Sequence, residues 1–195
     1  MVGVDGSRPP AQVKDGRSWR IGTAAEVAWI ADLTTVGLTI TSAIPAIFDS
    51  YLTIVVPEAV EQRTEHERVI LGLLCEQAGN QPWWLGYLET GGDEVVFPAA
   101  PRVTLYADSW RYVLVEAGPH EAATWRHDPL SSRGAMPDLV FPADRSWLLS
   151  RLWDDGWRCL GGPSGLADRL LHEPWLDARR VELEQDATPP GHTAR

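Results

Sequence analysis

Apolar and polar positions alternate along this chain in short runs, each cut off by glycine, proline or aspartate. Thr23 followed three places on by Glu26 has the form of a capping box, and a helix opened there sets Val27, Ile30 and Ala31 on one side before stopping short of Gly37. Leu38-Thr39-Ile40-Thr41 alternates as a strand, and the β-branched run from Tyr51 to Val56 is another, ended by Pro57. Glu65 to Gln77 carries helical spacing and stops at Gly79-Asn80, with Gly72 weakening its interior. Trp83 to Glu89 and Glu94 to Phe97 read as a hairpin about Thr90-Gly91-Gly92-Asp93, because glycine permits the positive φ of tight turns. Arg102 to Tyr106 and Trp110 to Glu116 read as a second hairpin about Ala107-Asp108-Ser109, followed by a helix from Pro119 to Arg126. Residues 127–138 form a polar loop. Trp147 to Trp153 and Trp157 to Leu160 flank the turn Asp154-Asp155-Gly156, Ser164 caps a helix to His172, and Ala178 to Leu183 is a last strand.

This punctuation repeats. Val-Phe-Pro-Ala occurs at Val96–Ala99 and again at Val140–Ala143. Each copy is followed in order by Asp, Trp-Arg, a β-like run, Gly-Pro, a helical stretch and a His-acid-Pro triplet: Asp108, Trp110-Arg111, Gly118-Pro119 and His127-Asp128-Pro129, then Asp155, Trp157-Arg158, Gly162-Pro163 and His172-Glu173-Pro174. Phe97 and Phe141 stand at the same interval as Gly118 and Gly162. The pattern reads as a ββα unit used twice, over residues 95–129 and 139–174. One short helix cannot cover the apolar face of a hairpin, so the two units are expected to share a sheet and core. The expected fold is α+β, a mostly antiparallel sheet with helices on one face. It fills a single domain, 19–183, between disordered tails at 1–18 and 184–195.

Composition narrows function mainly by exclusion. A formal net charge of −10 argues against nucleic acid, which needs a basic footprint. Lys14 is the one lysine among 17 basic side chains, a bias of coding background rather than a recognition patch. No stretch is apolar for long enough to span a bilayer, and the N-terminus lacks a basic start followed by an apolar run. A cytoplasmic protein without a membrane partner is expected, with Cys75 and Cys159 reduced.

Chemistry-bearing patterns are sparse. The His and Cys residues show no metal-ligand spacing, so neither a metal nor a cofactor is expected. No Gly-x-Ser-x-Gly elbow occurs, and Gly161-Gly162-Pro163-Ser164-Gly165 lacks the Walker lysine. Weak catalytic candidates are the turn carboxylates Asp108, Asp154 and Asp155, although aspartate also simply forms turns. Ten tryptophans are many for this length and supply either core packing or an aromatic recognition surface. Alternation from Trp110 puts Tyr112 and Glu116 on one face, where a carboxylate beside aromatic rings would attract a cationic ligand or a partner's arginine.

Two segments, Leu38 to Pro45 and Phe141-Pro-Ala-Asp-Arg-Ser-Trp147 running to Gly161-Gly162, resemble an uncharacterised group of actinobacterial proteins with a similar Phe-Pro-Ala-Asp-x-Ser/Ala-Trp…Gly-Gly segment. That resemblance covers most of residues 23–183 and implies no activity. The layout is also similar to SMI1/KNR4-type immunity proteins, small acidic α+β domains that neutralise secreted toxins. Their Leu-Pro-x-x-Tyr and Asn-Gly pattern is absent here. The leading expectation is a non-catalytic acidic binding protein that engages a protein partner, a basic toxin among the candidates, through Trp83, Trp84, Tyr87, Asp93 and Glu94. The alternatives are a binder of a small cationic or aromatic ligand, in a cleft between the two units lined by Trp110, Tyr112, Trp157 and Glu116, and an enzyme using the turn carboxylates.

Overall fold

The computed structural model of the chain describes residues 10–90, 96–107, 110–126, 134–152 and 155–194. In chain order its elements are β1 (Ala11–Lys14), β2 (Arg17–Arg20), α1 (Ala24–Ala31), a 3-10 turn (Ile40–Ser42), β3 (Ser50–Val55), α2 (Val60–Ala78), β4 (Trp83–Leu88), β5 (Val103–Leu105), β6 (Trp110–Ala117), α3 (Pro119–Thr124), β7 (Leu139–Pro142), β8 (Leu148–Ser150), β9 (Trp157–Gly162), α4 (Ser164–Leu171) and β10 (Asp177–Arg180). β1 and β2 form a ribbon, and the other strands form one 8-stranded sheet in the order β10-β3-β9-β8-β7-β4-β6-β5. Every neighbouring pair in that sheet is antiparallel, so the fold is α+β.

The strand order divides into two halves with one pattern. β10-β3-β9-β8 is assembled from a strand (β3), a hairpin (β8-β9), a helix (α4) and a closing strand (β10). β7-β4-β6-β5 is assembled in the same way from β4, β5-β6, α3 and β7. The second half, preceded by α2, is inserted in sequence between β3 and β8, so the halves are nested rather than in tandem. Trp110-Arg111 and Trp157-Arg158 open the corresponding strands β6 and β9, and Gly118-Pro119 and Gly162-Pro163 lead each into its helix. The two Val-Phe-Pro-Ala strings do not correspond. Val140-Phe141-Pro142 lies in β7, whereas Val96–Ala99 is a turn in which Phe97 takes φ 57° and sets its ring edge-on to Trp125 at 5.4 Å.

Period-2 alternation gives the sheet two buried faces. Val113 and Val115 of β6 join Leu85, Tyr87, Val140, Leu149 and Leu160 in a core covered by α2, α3 and α4. Tyr112 and Leu114 join Trp84, Leu139, Phe141 and Leu148 in a second core, covered by Val27 and Ile30 of α1 and by Ile40, Ala43 and Ile44. Three helices thus share one face as expected, while α1 lies on the other. Its capping box is present: Thr23 N–H donates to Glu26 Oε2 at 2.7 Å. A helical layer on one side leaves the opposite face of so wide a sheet apolar, and α1 with the 40–44 segment covers it.

Several local expectations change. Residues 11–18 and 184–194 are not loose tails: β1 and β2 pair, Ala187 is buried, and Asp186 bridges to Thr39. Leu38–Thr41 is no strand, because Ser42 and Ala43 N–H donate back to Thr39 and Ile40 carbonyls in a tight turn. β4 pairs with β6 and β7; of the segment expected beside it, Val96 and Phe97 lie in a turn, and Glu94 and Val95 lie outside the described residues. Pro163, not Ser164, is the N-cap of α4, and Ser164 Oγ instead lies 3.0 Å from Ser50 Oγ.

Candidate ligand-binding site

Strand β4 is enclosed on both faces, and this removes the expected aromatic surface. Trp83 is fully buried edge-on to Trp147 at 5.1 Å, and Tyr87 is fully buried with the Arg126 guanidinium 5.0 Å from its ring centroid. Trp84 is buried in the opposite core, with the Arg20 guanidinium 4.8 Å from its ring. Residues this deep in a central strand cannot meet a partner. Among the described tryptophans only Trp175 is exposed. Asp93, Glu94, Asp108 and Asp154 lie outside the described residues. Tyr112 is completely buried, Glu116 pairs with Arg20 of this same chain at 3.3 Å, and neither is among the residues that line the cavity at Trp110 and Trp157.

Trp110, Trp157 and Asp155, by contrast, meet. They line a cavity of about 210 Å³ on the α1 side of the sheet, together with Tyr106, Leu152 and Cys159. Trp110 and Trp157 open corresponding strands of the two halves, and both line this cavity. Its rim comes from two further parts of the chain: Thr35 to Leu38, and Ala187, Thr188 and Ala194 near the C-terminus. Val36 and Leu38 are exposed, which makes that lip apolar.

The walls are fixed by short-range bonding. Tyr106 stands edge-on to Trp110 at 5.4 Å, and Trp157 edge-on to His192 at 6.0 Å. The Tyr106 hydroxyl donates to the Ala43 carbonyl at 3.2 Å, which leaves Ser150 Oγ, 2.7 Å away, to donate to it. Burial raises the Tyr106 hydroxyl well above its ordinary pKa, so it stays protonated. Arg151 Nε donates to the Asp155 carbonyl at 2.9 Å, and Asp155 is buried.

Cys159 reports the electrostatics of this wall. Burial pushes its thiol up to about 12, and the negative charge of Asp155 acts in the same direction. A thiol so protonated is no nucleophile at neutral pH. Burial, the larger cause, disfavours any charge there, whereas the Asp155 carboxylate favours a cation, and Trp110 and Trp157 line the same cavity.

Asp155 and the two tryptophans are visible in the sequence as a turn carboxylate and as the repeated Trp-Arg pair. Tyr106, Cys159 and the rim from 35–38 and 187–194 carry no such signal, since they join the site only through the sheet order. Among the described residues no group of three or more His, Cys, Asp or Glu is placed to hold a metal ion, and no helix is long and apolar enough to cross a membrane. No protein-family model, curated protein or solved structure matches this chain.

Proposed function

We propose that this is a non-catalytic binding protein for a small organic cation, of the alkylated ammonium class, held between Trp110 and Trp157. The observation that carries the reading is the convergence of these two indoles with Tyr106 and Asp155 on one cavity of about 210 Å³. That volume falls below the range of roughly 300–1,000 Å³ typical of drug-sized ligands, so the occupant is small. Aromatic rings around a carboxylate stabilise a poorly hydrated ammonium through its charge and its methyl groups together. The net charge of −10 draws cations toward the protein over longer distances. Recognition of a protein partner through Trp83, Trp84 and Tyr87 is not retained, because those side chains are interior.

The direct test is a titration of intrinsic tryptophan fluorescence with tetramethylammonium, using tert-butanol as a neutral molecule of similar shape. Saturable change with the cation alone, lost in Trp157→Leu, supports the proposal. Equal responses to both molecules, or a response that never saturates, would overturn it.

A further inference from the structure

A second and larger cavity, about 470 Å³, lies in the helical layer between α2 and α3 and reaches residues 134–135. Leu71, Cys75, Pro119 and Ala123 are among its apolar walls, and its volume is that of a small-ligand site. Gly72, also in the wall, sits within the 19-residue helix α2. A Cβ built there meets nothing within 4 Å, and no positive φ requires glycine. Glycine in a helix interior costs stability relative to alanine, so neither packing nor backbone geometry accounts for it. Its effect is to leave room in the cavity.

The charges on the wall have a definite sign although the protein as a whole is acidic. Among the described residues Glu67 is the sole acidic residue of the wall, and its carboxylate already accepts from Ala135 N–H at 2.8 Å, Met136 N–H at 3.3 Å and Arg158 at 3.4 Å. Arg68 and His120 are both exposed basic groups of the same wall. Arg68 is paired with Glu65, its Nε 2.7 Å from Oε2, but a water-exposed pair of this kind is weak and can yield its guanidinium to another carboxylate.

We infer that the α2–α3 cavity binds an aliphatic carboxylate, its chain against Leu71, Gly72 and Cys75 and its head group at Arg68 and His120. This site is independent of the cation site on the other face of the sheet, and the chain supplies its own reporter. Cys75 is unpaired and half-buried in the cavity wall, whereas Cys159 is unpaired and buried in the other core.

The test is the rate of Cys75 alkylation by N-ethylmaleimide in the full chain, read by mass spectrometry, with decanoate added below its micelle concentration. Decanoate should slow alkylation saturably. Butyrate, too short to fill the cavity, and decyltrimethylammonium, of the wrong charge, should not protect at equal concentration. Arg68→Glu should weaken decanoate protection about tenfold, roughly the worth of one charge contact turned repulsive. Gly72→Leu, shown folded by its melting transition, should bind no decanoate by calorimetry, and Trp157→Leu should keep full protection. Absence of protection, equal protection by both head groups, or undiminished decanoate binding in Gly72→Leu would each overturn the assignment.

Discussion

The Arg126 guanidinium lies 2.7 Å from the Asp138 carboxylate, with both side chains almost wholly removed from water. Asp138 Oδ2 also accepts the Leu88 N–H at 2.9 Å, its own N–H donates to the Gly86 carbonyl, and its carbonyl accepts from Arg151 N–H. One buried ion pair therefore ties the end of α3 to β4 and to the chain entering β7. Neighbouring Arg158 donates to the Pro137 carbonyl at 2.9 Å, so the 134–138 segment is fastened by charged groups rather than by apolar contact alone.

Removing one partner of such a pair leaves the other buried and uncompensated, which costs about 3–5 kcal/mol. Asp138→Ala should lower unfolding stability by that order in urea denaturation, because it also orphans the Leu88 amide. Arg126→Met should cost somewhat less. The double variant should lose clearly less than the sum of the two, and strict additivity would show that the pair does not act as a unit.

Histidine 66 makes stability depend on pH. Burial, and then the positive charge of Arg158, hold its pKa down at about 4. An unfolded histidine titrates near about 6.5, so between those values the unfolded chain binds the extra proton and the folded one does not. The contribution of neutral His66 is complete above about pH 6.5 and is lost as pH falls toward about 4, a change on the order of 3 kcal/mol. Urea midpoints measured across this window should decline with acidification, and His66→Gln should flatten the slope. An unchanged slope in the variant would assign the effect to other groups.

Two glycines should respond to alanine in opposite directions. Gly72→Ala adds a methyl group to an exposed helix interior with nothing near it, and should stabilise by about 0.5–1 kcal/mol. Gly161→Ala in β9 would place Cβ 2.4 Å from both Ile44 Cγ2 and Phe48 Cδ2, in a core with no slack, and should cost about 1–3 kcal/mol. Thermal melts of both variants check the pair.

The fold class and strands such as β6 were legible because they follow from periodicity: Tyr112 and Leu114 face one core and Val113 and Val115 the other, as alternation from Trp110 requires. The capping box at Thr23 and Glu26 was legible for the same local reason. Strand neighbours were not. Trp83-Trp84-Leu85-Gly86-Tyr87-Leu88 is buried at every position, a run without alternation that marks a strand covered on both faces, yet hairpin logic paired it with the next segment in sequence. Trp83, Trp84 and Tyr87, expected at a recognition surface, are interior because both faces are covered. The cavity at Trp110 and Trp157 was partly legible, through the repeated Trp-Arg pair. Its closure by residues 35–38 and by Ala187, Thr188 and Ala194 depends on contacts between segments far apart in sequence, which no local pattern records.

The cation proposal divides into contributions that single substitutions separate. Each indole offers a π-face worth about 0.5–2 kcal/mol to a bound ammonium, so Trp110→Leu and Trp157→Leu should each weaken tetramethylammonium binding by roughly 2- to 30-fold. Leucine keeps the wall apolar, so the loss reports the π-system rather than a flooded cavity. Asp155 acts through charge alone. Asp155→Asn keeps its shape and should remove most of the preference for tetramethylammonium over tert-butanol, while leaving the weak apolar affinity for both. The Cys159 thiol gives a second readout of the same charge: without Asp155 its pKa should fall, since the carboxylate now helps to hold it up. Substituting Trp175, exposed and remote from the cavity wall, should change neither quantity. If Trp175→Leu weakens the cation as much as Trp157→Leu does, the ligand sits on the surface and the cavity has no part in binding it.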